Sequence, residues 1–130
     1  MIGLSDNRNV SRLVQSYRDL DVYKNAFSVS LELHQKSKSF PQDERFSLTS
    51  QIRRASKGIC ANIAEGFAKQ QASKAEFKRY LMMALGSAHE MMVWLEYCDA
   101  LEYLTHEETE RLTQEYQKII RMLQKLYSNI

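Results

Sequence analysis

The sequence predicts an all-α fold, an antiparallel up-down four-helix bundle with room for a short extra helix at its N-terminus. Three observations lead there. Four glycines and a single proline in 130 residues leave too few turn formers for many short strands. Four long stretches repeat apolar residues at intervals of three and four, the period of a helix with one buried face. The connections between those stretches are short, which sets successive helices antiparallel.

Residues 1–18 are polar and irregular apart from Val10, Leu13, Val14 and Tyr17, and they read as a tail or a short helix. Residues 19–130 form the bundle. Its first helix starts near Asp19 or Asp21, either of which can cap it. Its stripe is Val22, Ala26, Val29 and Leu33, widened by Phe27 and Leu31, and Lys36 and Lys38 close it with cations. The second helix opens at Pro41, whose fixed φ suits the first helical position, followed by acid at Asp43 and Glu44. Leu48, Ile52, Ala55, Ile59 and Ile63 carry its buried face, and Gly66 is placed to stop it in the left-handed conformation. The third begins with the capping box Ser73-Lys74-Ala75-Glu76 and runs along a seam of Phe77, Leu81, Ala84, Ala88, Met91, Leu95 and Cys98. The fourth repeats the device with Thr105-His106-Glu107-Glu108 and buries Leu112, Tyr116, Ile119, Leu123 and Leu126.

An apolar share of 44% with 26% charged residues is that of a soluble globular domain long enough to bury one core. No apolar run approaches the roughly 20 residues that span a bilayer. The first residues lack the basic-then-apolar pattern of a secretion signal. Cys60 and Cys98 form no CxxC pair and read as small core residues. The expected compartment is the cytoplasm, with no membrane partner.

Catalytic signatures are missing from the sequence. The glycines at 3, 58, 66 and 86 are isolated, so no phosphate loop is encoded. A di-iron bundle site needs Glu-x-x-His pairs, but Leu31, Gly86 and Tyr103 stand three positions before His34, His89 and His106. Glu65 and Glu90 suit ion pairs at helix contacts better than a catalytic carboxylate pair. The reading is a non-enzyme with no catalytic residue, cofactor, metal or small-molecule substrate.

Two second rows exceed what one stripe requires. On the second helix Gln51, Ala55, Gly58, Asn62 and Glu65 combine small and polar side chains, and on the third Met83, Ser87, Glu90, Trp94, Tyr97 and Leu101 line up. Such rows either widen the bundle core or join subunits, and the aromatic anchors favour self-association. Gln51, Asn62, Glu65, Glu90, Trp94 and Tyr97 are therefore the expected interface residues. Charge is divided too. Residues 41–80 carry eight Lys/Arg against four Asp/Glu, a net +4, while residues 81–130 carry four against eight, a net −4. Arg53, Arg54 and Lys57 bunch within little more than a turn, and Lys69, Lys74, Lys78 and Arg79 follow. These cations either form a solvated face or track an RNA or DNA backbone without reading bases.

Several strings have a familiar pattern. Phe40-Pro41, Glu44, Leu48 through Ala55 and Asn62-Ile63-Ala64-Glu65-Gly66-Phe67, continued by Phe77, Tyr80-Leu81, Ala84-Leu85-Gly86-Ser87 and Glu90, resemble the four-helix-bundle proteins encoded in 23S ribosomal RNA intervening sequences. Asp19-Leu20-Asp21-Val22-Tyr23 is similar to that family's usual start, so the resemblance covers residues 19–127. It implies a ring-shaped homopentamer without known enzyme activity. Related bundle proteins are accessory factors to the reverse transcriptases of diversity-generating retroelements, which implies a nucleic-acid adaptor or, alternatively, a protein-interaction scaffold for such a partner. By the same resemblance Arg53, Arg54 and Lys57 are candidates for a basic surface, and Gln51, Asn62, Glu65 and Glu90 are structural or interface positions. Lys69 stands where the family usually carries Arg, which weakens a bidentate phosphate contact there.

Overall fold

The computed structural model describes residues 14–130. Four helices, α1 (Asp21–Ser37), α2 (Leu48–Lys69), α3 (Lys74–Ala100) and α4 (His106–Ser128), pack in sequence order, and α4 closes against α1. No strand occurs among the described residues. At 1.5 Å per residue α3, the longest, extends about 40 Å. The stripes read from the sequence converge on one core: Leu33, Ile52, Ile59, Ile63, Phe77, Leu81, Met91, Leu95, Leu112, Tyr116, Ile119 and Leu123 are fully enclosed. Each such side chain contributes about 1.5–3 kcal/mol by leaving water.

Helix boundaries depart from the sequence reading where polar groups found other work. Val14 is buried against the bundle, and Tyr17–Asp19 forms a single 3-10 turn capped by Ser16. The expected stripe positions Val10 and Leu13 fall outside the described residues. Asp19 caps that turn by accepting from the Ser16 amide, and α1 itself begins after Leu20 with no side-chain cap. Neither Asp19 nor Asp21 therefore caps α1. Phe27 and Leu31 do not widen its buried stripe either: they are 46% and 51% exposed.

Pro41 has ψ 141° and lies outside α2, leading instead into a 3-10 turn at Gln42–Glu44. The helix starts later, at Leu48, whose amide donates to the Glu44 carboxylate at 3.3 Å. The other oxygen of Glu44 accepts from the Tyr103 hydroxyl at 2.7 Å, and the Phe40 ring packs on Tyr103 with centroids 5.4 Å apart. That knot ties the α1–α2 connection to the α3–α4 corner.

Gly66 does not stop α2, which continues to Lys69. A Cβ at this buried position would lie 2.8 Å from Tyr80 Cβ and 3.3 Å from the Phe77 carbonyl oxygen. Glycine here serves close approach of α2 to α3, and nearby Phe67 and Phe77 meet edge to face. At α3 only half of the expected capping box forms: Ser73 Oγ accepts from the Glu76 amide, while the Glu76 carboxylate turns to Arg79. At α4 both halves form. The corner between them bends at Glu102, a non-glycine residue at φ 62°.

Candidate functional site

Two surfaces gather the residues singled out in the sequence. The first lies along α2 and α3. The Arg54 guanidinium donates to Gln51 Oε1 through Nε at 3.2 Å and Nη2 at 2.9 Å, and pairs across the helix seam with Glu90. Trp94 Nε1 donates to the same Glu90 oxygen at 2.9 Å. Tyr97 tilts against Trp94 with centroids 6.0 Å apart. Gln51, Arg54, Glu90 and Trp94 thus form one hydrogen-bonded network, flanked by the exposed side chains of Met83, Tyr97 and Leu101. The other two expected interface residues behave differently. Asn62 folds back to donate to the Gly58 carbonyl, and Glu65 stands exposed.

The second surface is the edge between α1 and α2. Arg53 Nε donates to Ser37 Oγ at 2.9 Å, and the Lys57 ammonium lies 2.9 Å from His34 Nδ1. Lys57, then burial, then Arg53 and Lys38 all push the His34 pKa below its ordinary value. The charges that shift it belong to the cations Lys57, Arg53 and Lys38. Cations are gathered at this edge, and they disfavour the charged imidazolium.

The six expected nucleic-acid contacts are therefore not one patch. Arg53 and Lys57 face α1, whereas Arg54 faces α3. Lys69 and Arg79 bracket the Tyr80 ring at 5.7 and 4.7 Å, Lys78 lies 5.1 Å over Tyr127 on α4, and Lys74 is exposed at the start of α3. Helix geometry explains the split, since neighbours in sequence diverge by about 100° around the axis. Lys38 and His34 were missed because the sequence shows Lys36 and Lys38 only as cations near a helix end. Two residues apart, they point to different sides: Lys36 bonds Glu108 at 2.5 Å, and Lys38 joins the α1–α2 edge. Nothing in the local pattern marked Phe46 either, which is 87% exposed with the Arg45 guanidinium over its ring.

An open cavity of about 410 Å³ at the α3–α4 corner is lined by Asp99, Glu102, Tyr103 and His106, among others. Three of its charged groups are already engaged, His106 with Asp99 at 3.2 Å and Glu108 with Lys36 and the Thr105 amide, while Glu102 stands exposed. Among the described residues no group of three His, Cys, Asp or Glu side chains is placed to hold a metal ion. No described helix is long and apolar enough to cross a membrane.

Residues 18–125 match the family model described as 23S rRNA-intervening sequence protein. A solved structure from Bacteroides thetaiotaomicron, described as a protein with unknown function from the S23 ribosomal protein family, is 28% identical with a TM-score of 0.74. That alignment covers 82% of this chain and 95% of the other. No curated protein matches the sequence.

Proposed function

This chain belongs to the 23S rRNA-intervening sequence protein family, and from that premise we propose that it is a non-enzymatic, self-associating adaptor that binds nucleic acid through its basic α1–α2 edge. The observation that carries this reading is the gathering of Arg53 on Ser37 and Lys57 on His34 at one edge, with Lys38 also acting on that imidazole. Such an edge attracts a polyanion and contacts phosphates without reading bases. Self-association is supported by Met83, Tyr97 and Leu101, 45–52% exposed beside the Arg54–Glu90–Trp94 network. Aromatic anchors around a satisfied polar centre are the composition of a subunit interface. A ring of five fits the family resemblance.

Labelled RNA and DNA should bind at low salt, and affinity should fall steeply as salt rises. Reversing two charges, Arg53→Glu with Lys57→Glu, should abolish the shift. If neither nucleic acid is retarded at low salt, the adaptor reading fails. Sedimentation should report a multiple of the 15.2 kDa chain; a single-chain particle in dilute buffer refutes the assembly.

The exposed Phe46 favours a second reading, a scaffold or accessory subunit that docks a protein such as a reverse transcriptase. Capture of a protein partner that survives nuclease treatment and is lost in Phe46→Ala would establish it in place of the first.

A further inference from the structure

Along α1 and its C-cap position, Phe27, Leu31, His34 and the C-cap residue Lys38 recur at intervals of four, three and four, so they form one stripe on the helix surface. It runs from an apolar half to a basic half. Phe27 and Leu31 are 46% and 51% exposed and lie one turn apart, an apolar pair open to the surface. Tyr23 backs the Phe27 ring in a stacked arrangement, with centroids 5.9 Å apart and 17° between planes. About 10 Å further along the axis lie the Arg53 and Lys57 side chains contributed by α2.

We infer that this edge is a subsite for single-stranded nucleic acid, in which Lys38, Arg53 and Lys57 hold phosphate and the Phe27 ring stacks an unpaired base. The inference rests on the adaptor reading and narrows its ligand. All three cations are hydrogen-bond donors, and phosphate oxygens are acceptors only, so a phosphodiester fits their chemistry. An exposed aromatic ring beside them adds what a backbone contact alone does not use. Base–aromatic stacking requires a free base face, which a duplex keeps inside its own stack. A protein partner would need carboxylates for the cations and a separate apolar side chain for Phe27, whereas one nucleotide strand supplies both.

His34 gives the site a second signature. Lys57 from α2 lies 2.9 Å from its Nδ1, and Arg53 and Lys38 also act on it as cations. A bound phosphate offsets them and favours the imidazolium, so binding takes up a proton. Affinity should then rise as pH falls below 7, by at most tenfold per unit for one proton.

The test is fluorescence anisotropy with a labelled oligothymidylate and a duplex of the same length, run from pH 7.5 to 5.5 at low salt. The single strand should bind more tightly than the duplex. Phe27→Ala should weaken the single strand about tenfold and leave duplex binding unchanged. His34→Gln should flatten the pH dependence while retaining binding at pH 7.5. Equal affinity for both forms with Phe27→Ala silent overturns the subsite and leaves the adaptor reading standing. No binding of either form overturns both. A change in particle mass in Phe27→Ala without a change in binding overturns the subsite by making this edge a contact between copies.

Discussion

The α2–α3 and α1–α4 seams each carry ion pairs, Arg54 to Glu90 on the first, but they differ in what else draws the helices together. Between α2 and α3 the backbones draw close because Gly66 has no side chain to keep Tyr80 and Phe77 away. Gly58 sits further along the same seam, where an added Cβ would meet Ser87 Oγ at an ordinary 3.5 Å. Between α1 and α4 the helices are clipped by charge: Lys36 to Glu108 at 2.5 Å, and Arg111 to Glu32 through two nitrogens. Packing of the first kind is insensitive to salt and acid and intolerant of volume. Ion pairs of the second kind are screened, titratable and forgiving of shape.

The largest effect is expected where volume matters most. Gly66→Ala gains helix propensity of about 1 kcal/mol. Its methyl meets Tyr80 Cβ at 2.8 Å, an atom that cannot swing aside, and overpacking costs about 1–3 kcal/mol. A net destabilisation should appear as a lower urea midpoint. If the variant is instead more stable, the close approach is not what glycine serves there.

Next is the charged seam. The Glu108 carboxyl is held down to about 2 by its hydrogen bond to Lys36, and then by the Thr105 amide. A depressed folded pKa means the contribution is complete above the ordinary carboxylate value near 4.5 and is lost as pH falls from there towards about 2. Because the pair is solvent-accessible, its effect is far smaller than the shift alone implies, about 1 kcal/mol. Glu108→Ala should lower the melting temperature at pH 7 and flatten the acid limb between pH 4.5 and 2. An unchanged acid limb would remove charge as the device that closes α1 on α4.

Two smaller effects sharpen the contrast. At Gly86 an added methyl group would have no neighbour within 4 Å, so Gly86→Ala should stabilise by about 0.5–1 kcal/mol through propensity alone. Opposite signs at Gly66 and Gly86, read from matched denaturation curves, would separate packing from backbone entropy. Tyr116, fully enclosed, has a hydroxyl with no hydrogen-bond partner, and burial pushes its pKa well up. Tyr116→Phe should leave stability unchanged or raise it by up to about 1 kcal/mol, since an unsatisfied buried hydroxyl is removed. A loss measured by calorimetry would mean the hydroxyl is satisfied in solution.

The core was legible because burial of a helix depends only on period. Every seam residue read on α2, α3 and α4, from Leu48 to Leu126, is enclosed. The ends were less legible. Pro41 and Gly66 carry strong local signals for a start and a stop, but Glu44 and Tyr103 displaced the first and packing against α3 displaced the second. Both depend on residues distant in the chain. The candidate site was legible in composition and not in direction. Arg53 and Arg54 are adjacent letters that serve different surfaces, and only the partners Ser37 and Glu90 reveal it.

Cys98 is wholly enclosed, with its thiol pushed up to about 12 by burial first and Glu44 second, and Cys60 is raised to about 11 by burial. Neither sulfur forms appreciable thiolate at neutral pH, and thiolate is the form that alkylating reagents attack. Modification must therefore await an opening that brings the sulfur into water. The pace of Cys98 labelling at low reagent becomes a built-in clock for how often the bundle comes apart, readable by mass without any added probe.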